Sequence, residues 1–95
     1  MTTKQDIIER LETIIDPEVS FDIYTMGLVR EIDIINNTHV HLLITYTTPM
    51  CPAGPQIQQQ ITDELEDLGF DHVDIDLTFD PPWQMPEKLK TMIGL

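Results

Sequence analysis

Residues 39–79, HVHLLITYTTPMCPAGPQIQQQITDELEDLGFDHVDIDLTF, decide the fold. From His39 to Thr47 the chain alternates, with Val40, Leu42, Ile44 and Tyr46 on one face and His39, His41, Leu43 and Thr45 on the other. That is a strand with the first set turned to a core. After a proline-dense loop, Ile57, Ile61, Leu65 and Leu68 form one stripe of a helix whose other positions are Gln, Asp and Glu, and Gly69 stops it. Asp71 to Phe79 alternates again, Val73, Ile75, Leu77 and Phe79 inward against His72, Asp74, Asp76 and Thr78 outward. A strand, a helix and a strand in succession predict a right-handed crossover that makes the two strands parallel.

Working outward, Leu28 to Ile35 reads as a preceding strand, and Asn36-Asn37 is a hairpin turn because Asn tolerates the left-handed conformation. Which of these first two strands is central is not decided by pattern. Ile7, Ile8, Leu11, Ile14 and Ile15 recur at helical spacing, so residues from Thr3 to Ile15 read as an amphipathic helix ended by Asp16-Pro17. Asp16 can also cap a short turn with Pro17 in its first position. Val19 to Met26 reads as irregular, and Gly27 as a turn or a close backbone contact. Beyond Asp80-Pro81-Pro82-Trp83, Pro86 opens a short helix with Leu89, Met92 and Ile93 as its buried side. The order α-β-β-α-β-α predicts an α+β two-layer sandwich, helices on one face of a three-stranded mixed sheet, in a single domain over residues 1–95.

Seventeen acidic residues face five basic ones, a net charge of -12. Such a chain repels phosphate backbones and anionic lipid, which excludes nucleic acid and membrane surfaces as natural partners and favours basic protein surfaces or cations. The start of the chain lacks the apolar run of a signal peptide, and no stretch approaches transmembrane length. One cysteine makes no intramolecular disulfide and suits a reducing compartment, so the expectation is a cytoplasmic protein.

That cysteine, Cys51, lies in Thr48-Pro49-Met50-Cys51-Pro52-Ala53-Gly54-Pro55. Parallel strands ending at Thr47 and Phe79 bring Cys51 and Asp80-Pro81-Pro82-Trp83 to the same sheet edge, where sites form in folds with such crossovers. Either Pro52 or Pro55 opens the helix; with Pro55 first, Cys51 lies in the approach loop. Both readings put the thiol near a helix N-terminus, which favours thiolate, while a carboxylate such as Asp80 opposes it. Taken alone, Cys51 also fits a small buried hydrophobe, although three prolines stiffen its loop. His39, His41 and His72 read as solvated strand histidines rather than metal ligands, Trp83 as a lid on the core, the Asp63-Glu64-Glu66-Asp67 run as a solvated helix face, and Asp74 and Asp76 as residues that blunt a sheet edge.

Asp16-Pro17-Glu18, Met26-Gly27-Leu28-Val29, Thr48-Pro49-Met50-Cys51-Pro52 and Asp80-Pro81-Pro82-Trp83, in this order, resemble a known family. It is the metal-sulfur cluster assembly domain of bacterial SufT and the PaaD proteins, with cytosolic iron-sulfur assembly factors as eukaryotic relatives. The resemblance implies an iron-sulfur assembly-type α+β fold and a role in maturing iron-sulfur proteins as carrier, adaptor or targeting factor. Its partners would be other assembly proteins and client apoproteins. The family's characteristic cysteine corresponds to Cys51 and its acidic first-loop position to Asp16, with Glu18, Thr48, Pro49, Pro52, Asp80, Pro82 and Trp83 shaping the surroundings. The chain lacks the cysteine-rich extension associated with PaaD proteins and is most similar to a stand-alone SufT-like protein.

A cluster takes about four thiolates and this chain offers one. The expectation is therefore a labile cluster or iron held by Cys51 between two molecules, a homodimer being one arrangement, or no cofactor and a recognition surface. Enzymatic use of Cys51 as a nucleophile needs a base, and the three histidines belong to the other ends of their strands, so no enzyme is expected. The alternative is an acidic interaction module, PaaD-like oxygenase assembly included, in which the thiol is incidental.

Overall fold

The computed structural model describes residues 2–17, 20–47 and 53–92, the side chains of Lys88 and Met92 apart. Helix α1 (Lys4–Leu11) starts at a reciprocal cap: Thr3 Oγ1 accepts from the Asp6 N–H at 3.2 Å, and the Asp6 carboxylate accepts the Thr3 N–H at 2.8 Å. The bond from the Thr3 N–H, and a second from the Thr3 hydroxyl to the same carboxylate oxygen, lower the Asp6 pKa from its ordinary value, the backbone N–H contributing most. Ile7 and Leu11 are its buried face.

The helix stops at Leu11, four residues before the expected Ile15. The N–H groups of Thr13 and Ile14 turn back to Arg10 and Leu11 in three-residue steps, and the Thr13 hydroxyl donates to the Arg10 carbonyl at 2.6 Å. Only Ile14 of the last expected pair is buried; Ile15 is 48% exposed. Ile15 instead opens strand β1 (Ile15–Asp16), which pairs antiparallel with β2 (Phe21–Asp22), so the stretch expected to be irregular supplies one strand of a small hairpin and the expected end of the helix supplies the other. The Ser20 N–H closes its turn on the Asp16 carbonyl at 2.8 Å. Gly27 has φ +77, so the turn expected there holds, whereas a Cβ would meet Pro86 Cγ at 3.4 Å, an ordinary contact distance that does not itself require glycine.

The main sheet has the order β3 (Val29–Asn36), β4 (His39–Ile44), β5 (His72–Leu77), with β4 central. β3 and β4 are antiparallel and joined through Asn36, whose Oδ1 accepts from Thr38; β4 and β5 are parallel, in register from His39↔His72 to Ile44↔Leu77. Helix α2 (Gly54–Asp67) makes the crossover and ends in a Schellman motif, Phe70 N–H to Leu65 carbonyl and Gly69 N–H to Glu66 carbonyl, with Gly69 at φ +109. Phe70 and Leu65 are both buried, which supplies the apolar contact of that motif. Helix α3 (Glu87–Met92) follows and buries Leu89; Ile93, expected beside it, lies outside the described residues, as does the Met92 side chain.

The core lies between the sheet and the helices. Val40, Leu42, Ile44 and Tyr46 meet Ile7, Leu11, Ile57, Ile61 and Leu65, each aliphatic side chain contributing roughly 1.5–3 kcal/mol of transfer free energy. Three residues differ from their expected burial. Thr45 is fully buried because the strand ends at Ile44 and the Thr45 N–H donates to the Leu28 carbonyl at 2.8 Å. Leu77, the last residue of the edge strand β5, is 42% exposed, and Phe79, expected to continue that strand, lies two residues past its end and is 37% exposed. Arg10 of α1 ties the two helices by reaching Asp67 at 2.7 Å and Glu64 at 3.4 Å, so part of the acidic run on α2 is engaged.

Candidate functional site

Parallel pairing through Ile44↔Leu77 means that the chain leaves β4 and β5 at one end of the sheet. Thr45–Thr47 and Thr78–Asp80 therefore start from neighbouring positions, and the rings of Tyr46 and Phe79 approach with centroids 6.2 Å apart. Thr48, Pro49, Cys51 and Pro52 lie outside the described residues, and so does Glu18. The structure fixes the two ends of that segment, Thr47 and Ala53.

The far end is set by α2. Ala53 is its N-cap, Gly54 its first residue and Pro55 its second, so the helix opens three residues past Cys51 in sequence, one residue before the Pro55 start of the approach-loop reading and two after the Pro52 start. Alanine offers no side-chain cap, and the first turn holds no acidic residue. Neither the cap nor the first turn of this fourteen-residue helix thus supplies a side chain that neutralises its positive end. Gly54 is required by Tyr46: a Cβ there would come within 2.7 Å of the phenol ring. Gln58, one turn on, donates to the Tyr46 hydroxyl at 2.6 Å, so the residue that precedes the loop holds the helix that follows it.

The Asp80-Pro81-Pro82-Trp83 segment crosses from β5 toward the start of β3. The Asp80-Pro81 peptide is cis, the Asp80 N–H donates to Thr78 Oγ1 at 3.2 Å, and Asp80 and Pro82 are exposed. Trp83 packs against the core, and its Nε1–H donates to the Met26 carbonyl at 2.6 Å. The indole is a lid with a fixed orientation, held over the Met26-Gly27 turn. Asp16 is fully buried. Its hairpin joins the same end of the molecule through backbone bonds from Ile23 to Ile14 and from Leu28 to Ile23, and Leu28 in turn accepts from Thr45. The described members of the expected set, Asp16, Asp80, Pro82 and Trp83, thus gather around one end of the sheet.

The histidines lie elsewhere. His39 and His72 stand paired at the opposite end of β4 and β5, and His41 two residues further along, all away from the core. His39 bonds Asp74, and His41 Nε2 donates to Asp76 at 2.7 Å. The Asp76 hydrogen bond raises the His41 pKa above its ordinary value, with Asp74 and Asp33 adding to it; the bond from His39 lowers that of Asp74. Asp74 and Asp76 thus do more than blunt an edge. Among the described residues no group of three or more His, Cys, Asp or Glu side chains is arranged to hold a metal ion, and no helix is long and apolar enough to cross a membrane.

Sequence reading missed the Gly54–Tyr46–Gln58 clamp and the Trp83–Met26 bond. A glycine directly before a helix-opening proline, and an aromatic at the end of the strand feeding it, were the available signals for the first. The second pairs residues 57 apart in sequence and had none.

Residues 4–77 match the family model described as iron-sulfur cluster assembly protein. The chain is 36% identical over 84 residues, 87% of its length and 80% of the relative's, to an Fe-S protein maturation auxiliary factor of Porphyromonas gingivalis. It is 30% identical over 97% of its length, and 94% of the relative's, to the Fe-S protein maturation auxiliary factor YitW of Bacillus subtilis. A conserved hypothetical protein of Thermotoga maritima superposes with a TM-score of 0.83 at 36% identity, over 99% of this chain and 96% of that one.

Proposed function

The chain belongs to the iron-sulfur cluster assembly protein family, and on that premise we propose that it serves iron-sulfur protein maturation as a carrier or adaptor whose working residue is Cys51. The observation that carries the reading is the shared exit of β4 and β5, which starts the Cys51 segment and Asp80-Pro81-Pro82-Trp83 from adjacent strand ends. The uncapped positive end of α2 supports an anionic thiolate in the residues leading to it. Asp16, Asp80 and Trp83 then shape the surface that a partner meets.

A cluster takes about four thiolates and this chain carries one, so any iron or cluster is cargo completed by ligands of a second molecule. The partners are assembly proteins that supply the cargo and apoproteins that receive it. No catalytic role is assigned: the histidines, the usual bases for a cysteine nucleophile, stand at the other end of the sheet from Thr47 and Ala53.

The test is complementation. In cells lacking the wild-type protein, Cys51→Ser is expected to fold normally and fail to restore client iron-sulfur enzyme activity, and its pull-downs are expected to lose clients or the iron and sulfide that the anaerobic wild type retains. Full restoration of client activity by Cys51→Ser refutes the role given to the thiol, and selects an acidic docking module in its place.

A further inference from the structure

We infer that the outer edge of β5 is a strand-addition site for an extended segment of a partner protein in which basic and apolar residues alternate. The inference stands on sheet geometry and rests on no part of the function proposed above. Among the described residues β5 pairs with β4 alone. The N–H groups of His72 and Thr78 donate toward the β4 side, to Thr38 and Ile44, both at 2.9 Å. Along a strand such groups alternate, so Val73, Ile75 and Leu77 direct their N–H and C=O groups away from β4, to the open edge. An unpaired edge of this kind is a template for another strand.

The two faces of that edge differ in chemistry. On the helix side, Val73 and Ile75 are only half-buried and form one wall of a groove of about 390 Å³, closed on the other side by Pro55, Gln58, Gln59 and Thr62 of α2. The groove lies where the side chains of a fourth strand would point. On the open side, Asp74 and Asp76 keep 59% and 73% of their side-chain surface exposed even while bonded to His39 and His41. A carboxylate with one partner retains free lone pairs, so each accepts a further donor.

An added strand with apolar residues toward the groove therefore presents its alternate residues to Asp74 and Asp76, and Lys or Arg at those positions is favoured. The same charges oppose a second copy of this chain. β5 laid against its own counterpart sets Asp74 and Asp76 beside Asp74 and Asp76, in molecules that each carry a net charge of -12.

The test uses the full chain and the peptide acetyl-Lys-Val-Lys-Val-Lys-Val-amide, with its Glu-Val counterpart as control, followed by amide hydrogen exchange in NMR. Millimolar Lys-Val peptide is expected to slow exchange at Val73, Ile75 and Leu77 by about tenfold or more, with the even-numbered amides of β5 unchanged. Asp74→Asn with Asp76→Asn is expected to weaken the peptide about 2- to 30-fold. Ile75→Pro, which removes an outward N–H and no bond to β4, is expected to abolish binding; should it fail to fold, the wild-type exchange map decides. Absence of protection at these three amides, equal binding of the Glu-Val peptide, or protection mapping to the acidic face of α2 overturns the proposal. Concentration-dependent protection of the same amides without peptide overturns it in favour of a second copy.

Discussion

Gly54→Ala would ordinarily be chosen to stabilise a helix, and here the structure predicts the reverse. Alanine exceeds glycine by up to about 1 kcal/mol inside a helix, and by less at the first position, which Gly54 occupies. Against this, the new methyl would sit 2.7 Å from Tyr46 Cζ and 2.8 Å from Cε2 and Oη. Ordinary carbon contacts lie near 3.5–4.0 Å, so the shortfall is roughly 0.8 Å. The ring has no easy retreat: it is 7% exposed, its hydroxyl is held by Gln58 and Phe79 lies beside it. Overpacking of this kind costs about 1–3 kcal/mol. The net expectation is destabilisation by about 1–2 kcal/mol, which lowers the melting temperature of a domain this size by about 5–15 °C. Thermal and urea unfolding followed by circular dichroism measure it. In a Tyr46→Leu background the same substitution should become neutral or stabilising, a coupling of about 1–2 kcal/mol. A higher melting temperature for Gly54→Ala alone, or an equal cost in both backgrounds, refutes the clamp.

Trp83→Phe keeps most of the apolar contact and removes the Nε1–H donor, leaving the Met26 carbonyl of a fully buried residue without it; the expected loss is about 1–3 kcal/mol in urea unfolding read by circular dichroism. The His41 ring is expected to titrate above 6.5 by NMR, and Asp76→Asn should bring its midpoint down, since the Asp76 hydrogen bond is the largest cause of the shift. Because the folded pKa is raised, the stability this pair adds is fully present below 6.5 and lost as pH rises through the folded midpoint. The stability difference between wild type and Asp76→Asn should therefore shrink on that rise, and a difference independent of pH across that window contradicts the assignment.

The sheet was legible because its signals are local and periodic. Alternation in His39–Tyr46 and Asp71–Leu77, with a helical stripe between, is enough to require a crossover, and the crossover makes the strands parallel. The alternation of β5 nevertheless says which face a residue takes and not whether anything covers it or where the strand stops, so Leu77 had the wrong burial and Phe79 falls past the end of the strand. At α1 the apolar spacing runs on to Ile15 while the backbone has already turned at Thr13, because pairing with Phe21–Asp22 outweighs one more helical turn. At the site, Asp80 and Trp83 could be assigned to the exit end of the sheet by topology alone. What holds Trp83 there is a bond to a backbone carbonyl far away in sequence, and a backbone carbonyl carries no residue-type signature.

The free edge and the thiol segment are connected by the same geometry. Leu77 carries the last outward-directed backbone groups of β5, and its register partner Ile44 is three residues before Thr47, where the Cys51 segment begins. A partner strand running along β5 thus reaches the end of the sheet at which β4 and β5 both exit, one strand away from Thr47, and the residues flanking it are delivered to the end where the start of α2 stands. The proposed docking and the proposed role of the thiol then draw on separate groups: backbone amides and two carboxylates for the first, one sulfur for the second. Cys51→Ser should leave the Lys-Val peptide footprint intact while client maturation fails, and Asp74→Asn with Asp76→Asn should weaken the footprint while the thiol persists. If the two losses cannot be separated by these variants, the edge and the segment form one surface instead of two neighbours.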